Sequence, residues 1–524
     1  MIPKLLLSEI NQPIMFIFWI VGLSVVIAGL LGLLDLNLRS KYKKNQFLDE
    51  STNTLKPIPF RDPIVMQCIN FSRMFTGKIR GRDAVRLAKK DFNTDINGST
   101  KLKLLQNAFM QFRFVVIWDA DIGRNISFTK DTDLTKGDFG GIQQRMIGDS
   151  ILQVIGEEWK HQKAALSPAF KWDTIRSALP HLVEVANELS EILIQKANAG
   201  PVEIYPWIQK ATLDAIGKGG FGFDFGAMRE GSGKSAEIKN YENLTKELEN
   251  PIHFFQKLDK MRFIGRHKIL DEYFTKFEEF MANLIATKRE AKEKEGASWE
   301  PKNILDYLLV CEETEQLTDL QIARNLNTFF VAGHETTAGA LANAIHFLAE
   351  HPEIQTRARE EVFSVCGNRA PTFEDIQKME FGHNCIKETM RLRPPALGSV
   401  RFVDHDQQVG NLYLSKGSMT LVHIYMIHHD PTYWGDDVEE FKPDRFNHEN
   451  SKNRHRFAYI PFSIGPRQCI GNNFATLKMR SFLAVLLQKF EFLPNPECKE
   501  PFGEYVGIVL CPPKNCTLLL RPLN

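Results

Sequence analysis

One helical pattern in this chain is too long for a small domain. Thr318-Asp-Leu-Gln321 has the form of a capping box, and apolar residues then continue until His351-Pro352 stops the helix. The pattern predicts a helix over 319–350, 32 residues or about 48 Å long. A helix of that length needs a large, mainly helical body to cover it. Gly333 and Gly339 lie inside it, at a cost of about 1 kcal/mol each relative to alanine. A surface helix gains nothing from them, so close approach of another group to the backbone is the expected reason for Gly333.

Such a body is available. The chain has 524 residues, 43% of them hydrophobic and 25% charged, which excludes global disorder and collagen-like repeats. Lys+Arg 65 against Asp+Glu 64 gives a net charge of +1, and no nucleic-acid partner is expected. Eight cysteines in so long a chain do not make a disulfide scaffold. Phe 38 against Tyr 10 points to a large, dry interior.

Ile14 to Leu34 carries no charged residue and is long enough to cross a hydrocarbon layer of about 30 Å. It exceeds the apolar core of a cleaved signal peptide. Lys4 alone precedes it, whereas Arg39, Lys41, Lys43 and Lys44 follow, so the positive-inside rule places the body of the chain in the cytoplasm. The expected organisation is a membrane anchor at 1–34 (span 14–34), a basic, polar tether with a proline hinge at 35–59, and one globular unit at 60–524.

Phe112 to Trp118 reads as a strand, Phe381 to Leu392 as a helix ending before Pro394-Pro395, and Asn472 to Gln488 as another helix. Lys288 to Lys302 reads as a solvated loop or helix end. Gln408–Leu414 and Met419–Ile424, joined through Ser415-Lys-Gly417, are expected to form a hairpin, as are Val506–Leu510 and Thr517–Arg521. The fold class is mainly α with small β-sheets.

The sharpest chemical signal is Phe462-Ser-Ile-Gly465-Pro-Arg467-Gln-Cys469-Ile-Gly471. A cysteine with glycines on both sides can lie in a tight loop whose backbone N–H groups face the sulfur. The positive end of the helix that follows favours a thiolate. Arg467 supplies a cation for a nearby carboxylate, and Phe462 can keep water off a ligand. A single thiolate with no neighbouring Cys or His suits heme iron, whose other in-plane ligands come from the porphyrin; zinc would want three or four protein ligands.

With these residues the sequence resembles the cytochrome P-450 family of heme-thiolate monooxygenases, from about 145 to 520 and again in the anchor of microsomal members. The resemblance implies the P-450 fold behind an N-terminal transmembrane helix, and noncovalent heme b (iron protoporphyrin IX) with Cys469 as axial ligand. Ala332-Gly333-His334-Glu335-Thr336-Thr337 looks like the family's oxygen-activation motif. There Gly333 would leave room for dioxygen, while Thr336 and Glu335 would deliver the protons that O–O cleavage needs. Ala332 stands where fatty-acid ω-hydroxylase members often carry a heme-esterifying Glu. His334-Glu335 also begins a zincin-like pattern, but position 338 is Ala.

Glu388-Thr-Met-Arg391 and Pro443-Asp-Arg445-Phe446 are similar to the family's Glu-Arg-Arg network, which implies a structural role for Glu388, Arg391 and Arg445. Trp159-Lys-His-Gln-Lys163 looks like the propionate-binding W-x-x-x-R motif with Lys163 in place of Arg, and Arg401 matches a second propionate position. The substrate pocket by family position is Phe329, Phe330 and Ala332 on the long helix and Ala396, Leu397 and Val400 after the Pro-Pro turn, an apolar set that suits a lipophilic substrate.

The resemblance further implies insertion of one oxygen atom from O2, by hydroxylation or epoxidation. Electrons would come from NADPH through a separate flavin reductase, with a cytochrome b-type protein as a second donor, at the endoplasmic reticulum membrane. Lys452, Arg454, Arg456, Lys478 and Arg480 are expected to form a basic docking patch around the cysteine loop. A heme-thiolate isomerase or dehydratase and a non-enzymatic heme sensor are the alternatives, disfavoured by the intact Glu335-Thr336 pair.

Overall fold

The computed structural model describes most of the chain from residue 112 onward and the short segments 46–49, 54–57 and 102–107. It leaves 1–45, 50–53, 58–101, 108–111, 131–133, 137–140, 230–234, 249–265, 499–504, 507–508 and 524 outside the described residues. The expected anchor at 14–34 therefore lies outside them. Among the described residues no helix is long and apolar enough to cross a membrane.

The helices of nine or more residues are α1 (Ala120–Phe128), α2 (Gly156–Leu166), α3 (Leu179–Ala199), α4 (Ile204–Ile216), α5 (Ser235–Leu248), α6 (Arg266–Glu295), α7 (Ile304–Glu313), α8 (Asp319–Glu350), α9 (Pro352–Cys366), α10 (Glu380–Leu392) and α11 (Asn472–Lys489). The strands are β1 (Gln46–Asp49), β2 (Thr54–Pro57), β3 (Leu102–Asn107), β4 (Phe112–Ile117), β5 (Leu134–Thr135), β6 (Ser399–Val403), β7 (Gln407–Val409), β8 (Leu412–Leu414), β9 (Met419–Val422), β10 (Phe490–Pro494), β11 (Tyr505–Val506), β12 (Leu510–Cys511) and β13 (Leu518–Pro522). They form sheets ordered β3-β4-β9-β6-β5 and β2-β1-β8-β7, and the pairs β10-β13 and β11-β12. Part of the stretch expected as a tether is thus strand, because β1 and β2 pair with each other and β1 with β8.

The long helix begins and ends where its sequence signals lie. Both halves of the Thr318/Gln321 capping box are made. From Thr337 to Ala349 every side chain is buried, so this half of α8 is enclosed on all faces rather than amphipathic. Gly339 is where β12 reaches it: a Cβ there would stand 2.9 Å from the Leu510 carbonyl oxygen. α11 is likewise buried without a break from Leu477 to Gln488.

Two expected hairpins are redrawn. The turn at 415–417 does not join the neighbouring strands. β7 pairs with β8 across Gly410-Asn411, with Val409 opposite Leu412 and Gly410 at φ +59°, while β9 joins the other sheet beside β4 and β6. A two-residue Gly-Asn link fits a tight antiparallel turn better than the longer Ser-Lys-Gly segment. At the chain end, β13 pairs with β10 and not with residues 506–510, which pair among themselves as β11 and β12.

The phenylalanine excess goes in part into an edge-to-face cluster. Phe330 contacts Phe225, Tyr241 and Phe277 at ring centroid distances of 5.3, 4.8 and 5.6 Å, a favoured geometry for aromatic quadrupoles. Phe330 is fully buried there, so it belongs to the core and not to the expected substrate pocket.

Candidate functional site

The cysteine loop is a compact turn built by its own backbone. The Cys469 N–H donates to the Phe462 carbonyl at 3.0 Å and the Gln468 N–H to the Gly465 carbonyl at 3.0 Å. Gly465 has φ +78°, and a Cβ on it would stand 2.6 Å from the Ser127 carbonyl oxygen of α1. Both the conformation and the close approach require glycine. Gly465→Ala is expected to cost about 1–3 kcal/mol and to loosen the loop, seen as a lowered unfolding temperature together with faster heme loss. An unchanged melting curve would show that the loop tolerates a side chain.

Cys469 is accessible at its surface. The protein around it is nonetheless close enough that desolvation pushes its thiol above the ordinary value, against a hydrogen bond from the Gly471 N–H. The thiol thus lies in a recess open on one side. Of the loop amides expected at the sulfur, Gly471 is the one that donates. Phe462 is half-buried. A Cβ on Gly471 would lie 4.0 Å from Sγ and 3.9 Å from the Phe170 ring, and Phe170 in turn meets Phe329 edge-on at 5.1 Å.

Trp159 of α2 is clasped between the two cations expected at heme carboxylates. The Lys163 ammonium lies 4.9 Å and the Arg467 guanidinium 4.3 Å from its ring. Lys163 also donates to the Pro466 carbonyl at 2.7 Å, and Arg467 to the carbonyls of Ile151 and Val154. Arg401 is buried and donates to Ser399 Oγ and the Val400 carbonyl.

No group of three or more His, Cys, Asp or Glu able to hold a metal is found among the described residues. A lone accessible thiol at a helix start, with cations and an indole beside its loop, fits heme, a group that brings four ligands of its own and leaves one position for the protein.

On α8, Ala332 is exposed and Thr336 half-exposed, so these two present an accessible face. The Thr336 hydroxyl donates to the Ala332 carbonyl at 2.9 Å. Glu335 has one oxygen 3.2 Å from His334 Nε2 and the other accepting from Gln209 Nε2 of α4 at 3.0 Å. Burial works to raise its carboxyl, but His334 and Gln209 outweigh burial and hold it below the ordinary value. Glu335 is therefore a carboxylate that can pass protons on rather than an acid that stores one. Gln209 as its partner was not legible in the sequence, since nothing in the spacing links α4 to α8.

Gly333 differs from expectation. The direction its side chain would take is occupied by Ile216 of α4, at 3.1 Å from a built Cβ, so its small size serves the α4–α8 crossing and not a space for dioxygen. Of the remaining pocket candidates, Ala396 is exposed and Leu397 and Val400 are half-exposed, whereas Phe329 is only 7% exposed. The Ala396 segment is held near α8 through β12: the Leu510 N–H donates to the Pro395 carbonyl, and the Leu510 carbonyl accepts from Asn343.

The expected acid–base network is present. Glu388 and Arg391 have fully buried side chains and form a two-pronged pair at 2.7 and 2.8 Å, and Arg445 Nε reaches Glu388 at 3.2 Å. The basic docking patch is not present as expected. Lys478 and Arg480 are buried in α11, and Arg454 is half-buried over Trp434 and Phe446 at 4.3 and 4.9 Å; Lys452 and Arg456 alone of the five are exposed. The stretch Leu477–Gln488 of α11 is buried throughout, which leaves no solvated face for Lys478 and Arg480.

Comparison with known proteins identifies the family. The family description of Cytochrome P450 matches residues 103–520. The chain is 32% identical over 381 residues to cytochrome P450 4F6 of Rattus norvegicus, covering 69% of this chain and 70% of that protein. It is 29% identical over 398 residues to cytochrome P450 72A68 of Medicago truncatula (72% and 74%), and 29% over 389 residues to cytochrome P450 734A1 of Arabidopsis thaliana (73% of each). Proteins of this family are heme-thiolate monooxygenases that hold heme b through a cysteine. A mainly helical body, a lone thiol at the start of a buried helix and a match over most of the length together establish that this chain belongs to the cytochrome P450 family.

Proposed function

We propose that this protein inserts one atom of O2 into a lipophilic small molecule, with Cys469 as the heme ligand and Thr336 and Glu335 as the proton-handling pair. The observation that carries the reading is the accessible Cys469 thiol, alone and bonded by the Gly471 N–H, in a loop that Gly465 packs against α1. Bound heme supplies the oxygen chemistry. This chain's own residues orient and protonate: Thr336 presents a hydroxyl on the accessible face of α8, and the Glu335 carboxylate takes protons from solvent and passes them inward. Trp159, Lys163, Arg467 and Arg401 are assigned to the heme carboxylates. Ala332, Ala396, Leu397 and Val400 offer apolar surface to the substrate.

Electrons are assigned to an NADPH-dependent flavin reductase, with a cytochrome b-type donor as a second source. The docking face is redrawn around exposed Lys452, Arg456 and Arg124 with Phe128, which is 51% exposed. Phe128 lies next to Gly465, so an acidic partner seated there is close to the thiolate loop. The apolar stretch at 14–34 supports single-pass anchoring in the endoplasmic reticulum with the catalytic body cytoplasmic.

The test is the carbon monoxide difference spectrum of the reduced, heme-loaded protein, expected at about 450 nm for a thiolate ligand. It is followed by product formation from lipophilic candidates with reductase and NADPH. A folded, heme-loaded sample without that band would refute the thiolate assignment. Thr336→Ala is expected to keep the band while diverting most NADPH electrons into hydrogen peroxide, measured as product formed per NADPH consumed. Unchanged coupling would remove Thr336 from the proton path.

A further inference from the structure

Lys478 is a lysine in the wrong kind of place. It sits midway along α11 among Leu477, Met479, Phe482 and Leu483, with no exposed surface. Among the described residues no carboxylate lies within ion-pair distance of it. The ring of Phe474 is 5.6 Å from its ammonium. Burial of this kind pushes its pKa down to about 7, a heavy penalty for a residue that merely fills space. Among the described residues its one hydrogen bond goes to the carbonyl of Gly333, in the turn of α8 that carries Glu335 and Thr336.

That carbonyl and its neighbours are unusually well supplied. The Gly333 oxygen also accepts from the Thr337 hydroxyl at 3.1 Å, the Ala332 oxygen accepts from Thr336 at 2.9 Å, and the His334 oxygen accepts from Thr212 of α4 at 3.2 Å and from Thr337 at 3.1 Å. Side-chain donors competing for helix carbonyls bend or loosen the local ladder. Two of these donors, Thr336 and Thr337, come from α8 itself, the Thr337 hydroxyl being shared between two carbonyls. Lys478 comes from the helix that begins three residues after Cys469, so one rigid element carries the thiol at its start and holds the oxygen-motif turn by its middle.

We propose that Lys478 is a positioning residue for the oxygen chemistry, tying α11 to the Gly333 carbonyl and so fixing where the Thr336 hydroxyl stands relative to the Cys469 sulfur. This rests on the assignment of Cys469 and Thr336 above. The bond is made to a backbone carbonyl, so it positions the turn and transfers no proton itself. A lysine donor is suited to the task, because it keeps N–H groups to donate in either protonation state, and in its charged form the bond is about twice as strong as a neutral one.

Lys478→Met keeps the stem and removes the donor; Lys478→Gln keeps a shorter donor. The experiment uses full-length, heme-loaded protein. The 450 nm band (about 450 nm, as for any thiolate ligand) is read first, and wild-type protein lacking it would refute the parent assignment, not this one. With the band present, Lys478→Met should retain it and melt no lower than wild type, since an unpaired buried charge has been removed. Amide hydrogen exchange in the peptide 329–341 should rise about tenfold, the loss expected for a bond to a charged group. The share of NADPH electrons appearing as peroxide should rise several-fold, and Lys478→Gln should recover part of both. Unchanged exchange and unchanged peroxide in Lys478→Met overturn the proposal. Failure of both variants to bind heme also overturns it, because the lysine then holds the fold and not the turn.

Discussion

Glu388→Ala is expected to destabilise the protein by about 3–5 kcal/mol, which for most domains leaves little folded material. The magnitude follows from what remains. Arg391 is wholly buried and gives two of its hydrogen bonds to Glu388, and the rest go to the carbonyls of His428, Val438 and Glu440. Arg445 gives its Nε to Glu388 and its other nitrogens to Trp434 and Asp437 carbonyls. The Lys442 N–H also ends on Glu388. Removing the carboxylate leaves the fully buried Arg391 guanidinium without a counter-charge and the Lys442 amide without its acceptor, while Arg445 keeps its ion pair to Asp437 at 2.8 Å. Three segments of chain are pinned at this point: 388–391, His428, and the stretch 434–445 that precedes the cysteine loop. Urea unfolding of wild type and variant, with heme content followed in parallel, measures the loss. A difference below about 1 kcal/mol, the range of an ordinary surface pair, would mean that the network is solvated or relaxes freely. Glu388→Gln should fall between the two, since it keeps acceptors but not the charge.

How much of this was legible in the sequence depended on whether a signal was local. The α8 limits were, because a capping box and a proline act on their own neighbours. The Glu388–Arg391 pair was, because i,i+3 spacing on a helix brings the two together. The cysteine loop was, because its glycines answer to backbone needs that few other residues meet.

Long-range pairing was not legible. Nothing near Leu518 announces that it lies opposite Pro494, while Gly410-Asn411 was a local turn signal overlooked inside an apparently continuous strand. The larger misreading concerned polarity. Lys478 and Arg480 looked like a solvated patch because lysine and arginine are rarely fully buried, yet Leu477–Gln488 of α11 is buried throughout and each must donate to backbone, Lys478 to Gly333 and Arg480 to Ile376 and Met379. Phe330 erred in the other direction: an apolar residue beside the oxygen motif suits a pocket and a core equally, and only the rings of Phe225, Tyr241 and Phe277 decide for the core.

Cys469→Ser is expected to leave the polypeptide folded and to abolish monooxygenation. The loop does not depend on the sulfur for its shape: the Cys469 N–H still donates to Phe462, Gly465 still packs on Ser127, and α11 still starts at Asn472. The thiol makes one short-range bond, from the Gly471 N–H, which a serine hydroxyl can accept as well. Loss of stability should therefore stay within about 1 kcal/mol, read as an unchanged heme-free unfolding curve. The chemistry changes completely, because a hydroxyl at this position does not supply the anionic sulfur whose electron density favours O–O cleavage. The reduced carbon monoxide complex should lose the band at about 450 nm, and NADPH-driven product formation should fall to background with reductase in excess. Retention of that band in Cys469→Ser would assign the ligand elsewhere. Cys498 is the only other cysteine among those described that is not buried; it lies outside any glycine-flanked loop and hydrogen-bonds Asn515 and Thr517 near the chain end, so Cys498→Ser is the matched control and should behave as wild type.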